Sequence, residues 1–339
     1  GLGNGGLPGI NTTVVTDSSL ILDPGAAEAP INGAEDITFN GAGYSGLGAI
    51  RNVSGNNTVG DLFLTNFTSV GSLNAGVGTI YVEGGSSLSA DELIDQTGPI
   101  VAGDPTPPTT PATFTEGTGT LTKTGSGVLQ VNGVFNSRAD VGTLSAFNAG
   151  AKYSYLVTNK VATGGIDVQG GTFRISTGGT NNAQAKHTVV KNVSVNTGAG
   201  AKFDLTNNSL LVDYTGSSPL AAIEALIQSG YAGGAWTGAG ITSSSANSGN
   251  FALGVGDLSD TGFSGSYLGT PIDGDVTIVR FTRYGDANLD GTTGIADFAR
   301  LGANFNQPGR WATGDFNFDG TVGIADFSLL GANFNLSAI

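Results

Sequence analysis

Short apolar runs set off by Gly, Asn, Asp and Ser recur along the first part of the chain. They are NTTVV at 11–15, SLIL at 19–22, DITF at 36–39, DLFL at 61–64 and GTIYVEG at 78–84. Runs of this length bounded by turn residues predict short β-strands. From residue 113 to about 216 the alternation sharpens. Leu129 and Val131 share one face, as do Ile166 with Val168 and Phe173 with Ile175. Val193/Val195, Phe203/Leu205 and Leu210/Val212/Tyr214 continue the scheme. A period of two places one set of side chains inside and the other outside.

One segment departs from this period. In SPLAAIEALIQSG, residues 218–230, Leu220, Ile223, Leu226 and Ile227 form one helical stripe. Ser218 suits the N-cap, Pro219 the first helical position, and Gly230 the end. A strand follows in GDVTIVRFTRYG, with Val276, Ile278 and Phe281 apolar. Residues 98–112 hold five of the 11 prolines and predict an extended linker or surface loop. A further interruption spans about 136–163. Residues 1–9, GLGNGGLPG, predict a segment floppy on its own, which a neighbouring chain could hold.

The pattern predicts a mainly β fold, a β-solenoid of parallel β-helix type or a related Gly-rich β body. Up-and-down and sandwich arrangements suit the same strands. Helix 218–230 is expected to cap the body, and a small α-helical module to follow. The expected organisation is an N-terminal Gly/Asn-rich β region over 1–112, a strand-repeat region over 113–283 and a C-terminal module over 284–339.

Composition agrees with a turn-rich β chain. Gly accounts for 57 of 339 residues and charged residues for 12%, against usual shares of about 7% and about 25%. Cys and Met are both absent. Without Cys there is neither a disulfide nor a thiolate metal site, which suits a bacterial exported protein that does not rely on disulfides. Without Met, residue 1 is expected not to be an initiator, and the chain to be a processed product or a fragment. No apolar run approaches the roughly 20 residues a membrane helix needs. The net charge of −14 makes nucleic acid a poor partner and suits divalent cations.

The acidic residues are concentrated at one end. GDANLDGTTGIADFARLGANFN, residues 285–306, is repeated as GDFNFDGTVGIADFSLLGANFN, residues 314–335. Counted from Asp286, oxygen-bearing side chains fall at positions 1, 3 and 5 as Asp286, Asn288 and Asp290. Gly291 allows the sharp turn, Thr292 offers its backbone carbonyl, and Asp297 closes the loop at position 12. The second copy has Asp315, Asn317, Asp319, Gly320, Thr321 and Asp326 in the same places. This is the oxygen-ligand pattern of an EF-hand loop, so two Ca²⁺ sites are expected. After each loop an apolar helical face is expected, with Ile295, Phe298, Leu301 and Phe305 in the first and Ile324, Phe327, Leu330 and Phe334 in the second. The two faces are expected to pack together.

With Asp rather than Glu at position 12, two repeats and no helix before the first loop, residues 284–336 resemble a type I dockerin module. Positions 10 and 11, often a Ser/Thr pair in dockerins that dock onto cohesins, are Ile295-Ala296 and Ile324-Ala325 here. GTGTLTKTGSGVLQVNG with GGIDVQGGTFRIS is similar to the autotransporter-associated β-strand repeat of large secreted bacterial proteins. The stretch from Lys202 to Ile241 is similar to the segment joining such repeats to a dockerin-like module. These resemblances imply an exported, extracellular or cell-surface protein and no particular reaction.

Candidate catalytic chemistry is sparse. His187 is the only histidine and lies in a polar stretch entering a strand, where exposure at a strand edge is expected. Glu83, Asp91, Glu92, Asp95, Asp257 and Asp260 are carboxylates available for glycosidase-type work, but nothing in the sequence pairs them at the separation it requires. Tyr231, Trp236 and Tyr267 suit either a sugar-stacking platform or packing of the cap. The expectation is a non-enzymatic extracellular structural protein. Its partners are expected to be copies of itself, through β edges or termini, or another surface protein. The alternative is a glycan-binding or polysaccharide-degrading protein with a dockerin-like tail.

Overall fold

The computed structural model describes residues 12–14, 18–25, 30–31, 37–60, 62–64, 66–68, 72–74, 77–90, 93–95, 120–131, 134–135, 165–177, 187–247, 249–267, 270–272 and 274–338. Segments 1–9, 98–112 and 136–163, each given a role in the sequence reading, lie outside them.

Three sheets of parallel strands form the body. The first runs through Thr12–Val14, Ile37–Phe39, Leu62–Leu64, Leu93–Asp95 and Val134–Phe135. The second runs through Leu20–Leu22, Ile50–Asn52, Val77–Val82, Thr120–Thr124, Gly165–Val168 and Val193–Val195. The third runs through Asn56–Thr58, Ser87–Ala90, Val128–Val131, Thr172–Ile175, Lys202–Asp204 and Gly240–Thr242. The chain visits the sheets in rotation, from Leu62–Leu64 to Val77–Val82 to Ser87–Ala90 and back at Leu93–Asp95. Each strand therefore pairs with the strands one circuit earlier and later. The pair Val77–Val82 with Thr120–Thr124 joins the two sides of residues 98–112.

Alternation decides what enters the core. Leu129, Val131, Phe173, Ile175 and Phe203 are buried, while Gln130 and Arg174 between them are half-buried. Phe173 and Phe203 are register partners and stack at 5.3 Å. Each such side chain contributes roughly 1.5–3 kcal/mol by leaving water. Lys123 is the exception. Its register partners are Ile80 and Val168, both fully buried, and it is itself buried. Its Nζ donates to the carbonyls of Thr124, Gly125 and Gly170 at 2.8, 2.8 and 2.9 Å, so all three protons are used within the turns. Burial pulls its pKa down to about 7.

The expected fold class is corrected by the second half of the chain. A four-stranded sheet orders His187–Val190, Ser209–Asp213, Val276–Arg283 and Phe251–Asp257, first a parallel pair and then two antiparallel ones. Helix α1 (Leu220–Tyr231) lies on the connection between the adjacent parallel strands Lys202–Asp204 and Gly240–Thr242, as a crossover. Helices α2 (Ile295–Asn304) and α3 (Ile324–Asn333) follow. The whole is a mixed α/β fold, not a mainly β solenoid to which a helical tail is appended. The reason is burial on both faces. Leu210, Leu211 and Val212 are all buried, and so is every residue from Val276 to Thr282. This sheet meets the C-terminal residues through Gly254 against Trp311 and through Arg280 and Thr282 against the first loop. Among the described residues no helix is long and apolar enough to cross a membrane.

Helix α1 begins one residue later than its sequence predicts, with Pro219 at the N-cap and Leu220 first in the helix. Ser218 Oγ accepts from the Leu220 N–H at 3.0 Å, and Leu220, Ile223 and Ile227 are buried. Its end differs, because the helix passes Gly230 and stops at Ala232 in the left-handed region. Gly230 serves close approach instead. A β-carbon there would lie 2.0 Å from the Ile241 carbonyl oxygen on the neighbouring strand.

Candidate metal centre

The strand Val276–Arg283 leads directly into the first acidic loop. Asp286 Oδ1 accepts from Asp290 N at 3.1 Å, and Oδ2 accepts from Gly291 N at 2.9 Å. Asn288 Oδ1 accepts from Asp290 N, and Asp290 Oδ1 from Thr292 N, at 3.0 and 2.8 Å. Asp297, on the first turn of α2, reaches back to accept from Asn288 N and Gly294 N at 3.0 and 2.7 Å. The second loop repeats these six bonds and adds a seventh, from Phe316 N to Asp326 Oδ1 at 2.8 Å. Asp315 accepts from Asp319 N and Gly320 N at 3.1 and 2.8 Å, Asn317 from Asp319 N at 2.8 Å, and Asp319 from Thr321 N at 2.9 Å. Asp326 accepts from Asn317 N and Gly323 N at 3.1 and 2.9 Å. Leu289 and Phe318 take positive φ values of 58° and 56°, and Gly291 and Gly320 values of 93° and 89°. The backbone thus coils each loop inward so that alternate side chains turn to one side.

The two loops brace each other. The segment after α2 bonds to the second loop, through Asn306 N to Val322 O at 2.8 Å and Gly309 N to Gly320 O at 3.1 Å. The segment after α3 bonds to the first, through Asn335 N to Thr293 O at 2.7 Å and Ala338 N to Gly291 O at 2.8 Å. Thr292 and Thr321 sit at the two corresponding bridges, opposite Ser337 and Pro308.

Burial holds four of these carboxylates above their ordinary range. Burial pushes Asp286 up to about 7 and Asp315 up to about 6. Asp297 and Asp326 are raised as well, first by burial and then by neighbouring carboxylates against their backbone donors. Among the described residues no group of three or more His, Cys, Asp or Glu side chains has metal-holding geometry by itself. A cation here would need the Asn oxygens and backbone carbonyls too. The donors in each loop are all hard oxygens, a set that fits a hard divalent cation and not a soft one.

The helical faces depart from expectation. Leu301 and Leu330 are buried, but Ile295 and Ile324 stay 72% and 71% exposed, and Phe298, Phe305, Phe327 and Phe334 are also exposed. Phe298 and Phe327 meet edge to face at 6.1 Å across a groove of about 370 Å³. The inward apolar surface comes instead from the loops and the spacer between them. Ala287, Leu289, Phe316, Phe318 and Val322 join one continuous core with the last sheet.

Trp311, in the spacer, is the centre of that core, and the sequence reading missed it. Its Nε1 donates to the Asp286 carbonyl at 2.7 Å, and its ring lies 5.1 Å from Phe316 and 5.6 Å from Phe318. Gly254 faces it so closely that a β-carbon there would lie 2.6 Å from Nε1. Arg280 and Thr282 were missed too. Thr282 Oγ1 donates to Asp286 Oδ2, and Arg280 Nη1 to the Leu289 carbonyl at 2.7 Å. The available signal was Arg280 and Thr282, two polar residues two apart near the end of a largely apolar strand that runs into the first loop.

Of the catalytic candidates among the described residues, only Asp257 and Asp260 lie side by side, as the two ends of a capping box, and both are engaged in hydrogen bonds. Asp257 accepts from Ser218 and Thr277 at 2.9 and 2.6 Å, while Asp260 bonds Asp257 N and pairs with Arg310 at 2.8 Å. Glu83 lies beside the Tyr81 hydroxyl on another sheet. Trp236 and Tyr267 are buried in the core, and Tyr231 packs edge-on against Trp236 at 5.2 Å, so these rings form no open platform. His187 begins its strand, but its side chain, like those of Asp91, Glu92 and Asp95, lies outside the described residues.

Comparison of the chain with protein-family models, with curated proteins and with solved structures finds no match.

Proposed function

We propose that this chain is a non-catalytic extracellular structural protein whose twin loops bind two Ca²⁺ ions, one through Asp286, Asn288, Asp290, Thr292 and Asp297 and one through Asp315, Asn317, Asp319, Thr321 and Asp326. The observation that carries the reading is the repetition of the same six side-chain-to-backbone hydrogen bonds in two all-oxygen loops around a shared core. Calcium would bring opposite charge to carboxylates that burial and mutual repulsion disfavour, and would stiffen the end of the body. Thermal unfolding of the whole chain with calcium and with excess chelator tests this. A ligand at a hundredfold excess over its Kd stabilises by about 2.7 kcal/mol per site. The expected result is a clear fall in Tm on chelation, and an unchanged Tm removes the reading.

Self-association is the second half of the proposal. Among the described residues, Leu20–Leu22 has a strand neighbour on one side only, whereas the far side of Asn56–Thr58 is bonded to Ile31. Ile21 is 53% exposed there. Edges of this kind accept strands from another chain unless blocked. A head-to-tail contact that does not close gives a filament. Electron microscopy of the purified chain reads this directly. Filaments or sheets are the expected result, and monodisperse monomers at high concentration refute it.

A further inference from the structure

The twin loops largely match in their own bonds but differ in what touches them from below. Leu289 and Phe318 hold the same place in the two repeats, each with positive φ. The Leu289 carbonyl accepts from Arg280 Nη1 at 2.7 Å. The Phe318 carbonyl accepts from Gln228 Nε2, also at 2.7 Å. The same acceptor thus meets a guanidinium in one loop and a neutral amide in the other.

The charge under the first loop is fixed and close. Arg280 is fully buried, and its Cζ lies 5.9 Å from the Tyr267 ring. A β-carbon on Gly291 would fall 2.2 Å from Arg280 Nη2, whereas one on Gly320 would meet nothing within 4 Å. Arg280 makes no salt bridge among the described residues, so its field falls on the first loop, where it acts on Asp286. The largest influences on Asp315 are burial, backbone N–H donors and the carboxylates of Asp319 and Asp326. A buried guanidinium cannot shed its proton and is little screened.

We propose that the two loops take calcium unequally, the second (Asp315–Asp326) before the first (Asp286–Asp297), because Arg280 places a permanent positive charge beneath the first. This rests on the calcium reading above. Before metal arrives, Arg280 offsets the first loop's carboxylates. A divalent cation must then enter against it, while the second loop presents its full negative charge. One unit charge at this range weakens the first site by roughly tenfold or more.

Calorimetric titration of the metal-stripped whole chain with calcium tests the order. Asp290 and Asp319 are exposed, so Asp290→Ala and Asp319→Ala remove a ligand from one loop each with little effect on folding. Arg280→Gln copies the neutral donor found under the second loop. The expected wild-type isotherm has two steps separated by roughly tenfold or more. Asp319→Ala is expected to lose the tighter step, Asp290→Ala the weaker, and Arg280→Gln to tighten the weaker step toward the other. Two equal sites, loss of the tighter step in Asp290→Ala, or a folded Arg280→Gln with the gap unchanged overturns the proposal. Should Arg280→Gln fail to fold, the two aspartate variants still decide the order. Absence of any binding removes the calcium reading itself, an outcome distinct from two equal sites.

Discussion

Replacing Trp311 by Ala tests whether the C-terminal residues form an appended module or part of the body. The indole is fully buried, touches Phe316 and Phe318 from the second loop, and donates to the Asp286 carbonyl of the first. It also packs on Gly254 of the strand Phe251–Asp257. Truncating a buried Trp costs about 3–5 kcal/mol, and stripping the donor from a buried carbonyl adds about 1–3. The sum, roughly 4–8 kcal/mol, rivals the total stability of about 5–15 kcal/mol typical of a domain. Because one core spans both parts, the loss should appear throughout the sheet and not only in α2 and α3. Urea unfolding followed by circular dichroism gives the magnitude, and hydrogen exchange of the amides in 251–257 and 276–283 gives its location. A loss under about 1.5 kcal/mol, or unchanged protection of those strands while the C-terminal residues exchange freely, would refute the shared core.

Gly254→Ala should destabilise by about 1–3 kcal/mol in chemical denaturation, since the added carbon lies 2.7 Å from Leu289 Cδ2 as well as against the indole. A neutral result would mean the contact relaxes freely. The pKa of Lys123 is lowered from 10.5 to about 7. Between those values the unfolded chain keeps a proton that the folded chain releases, so stability rises with pH across that window. Lys123→Met lacks this term. The stability difference between wild type and Lys123→Met should therefore move in favour of wild type from pH 7 to 10, and a flat difference by urea titration contradicts the assignment. Ile21→Lys, at the exposed edge strand, should shift sedimentation toward monomer with little change in Tm. Unchanged assembly would move the interface elsewhere.

Much of the local structure was legible in the chain. The short strands at Ile37–Phe39, Leu62–Leu64, Val128–Val131 and Thr172–Ile175 fall where alternation placed them. The start of α1 falls within one residue of its predicted place, because its cap and stripe are local features. The two loops likewise fold alike, each with glycine in the left-handed region at its sixth position. What could not be read was the partner of each face. Ile295, Phe298 and Leu301 form one apolar stripe in sequence, yet only Leu301 is buried. Periodicity says that a face is apolar, not that anything covers it.

Period and spacing alone thus placed many of the short strands, the crossover helix to within a residue, and the repeat of the two acidic loops. Only the tertiary structure decided that the last sheet is buried on both faces, that Trp311 joins the loops to it, and that Arg280 stands under one loop and Gln228 under the other. Those contacts link residues from 9 to 90 positions apart. The first set depends on bonds between near neighbours, which composition and order dictate. The second depends on which surfaces meet when the chain closes on itself, and no local pattern carries that information.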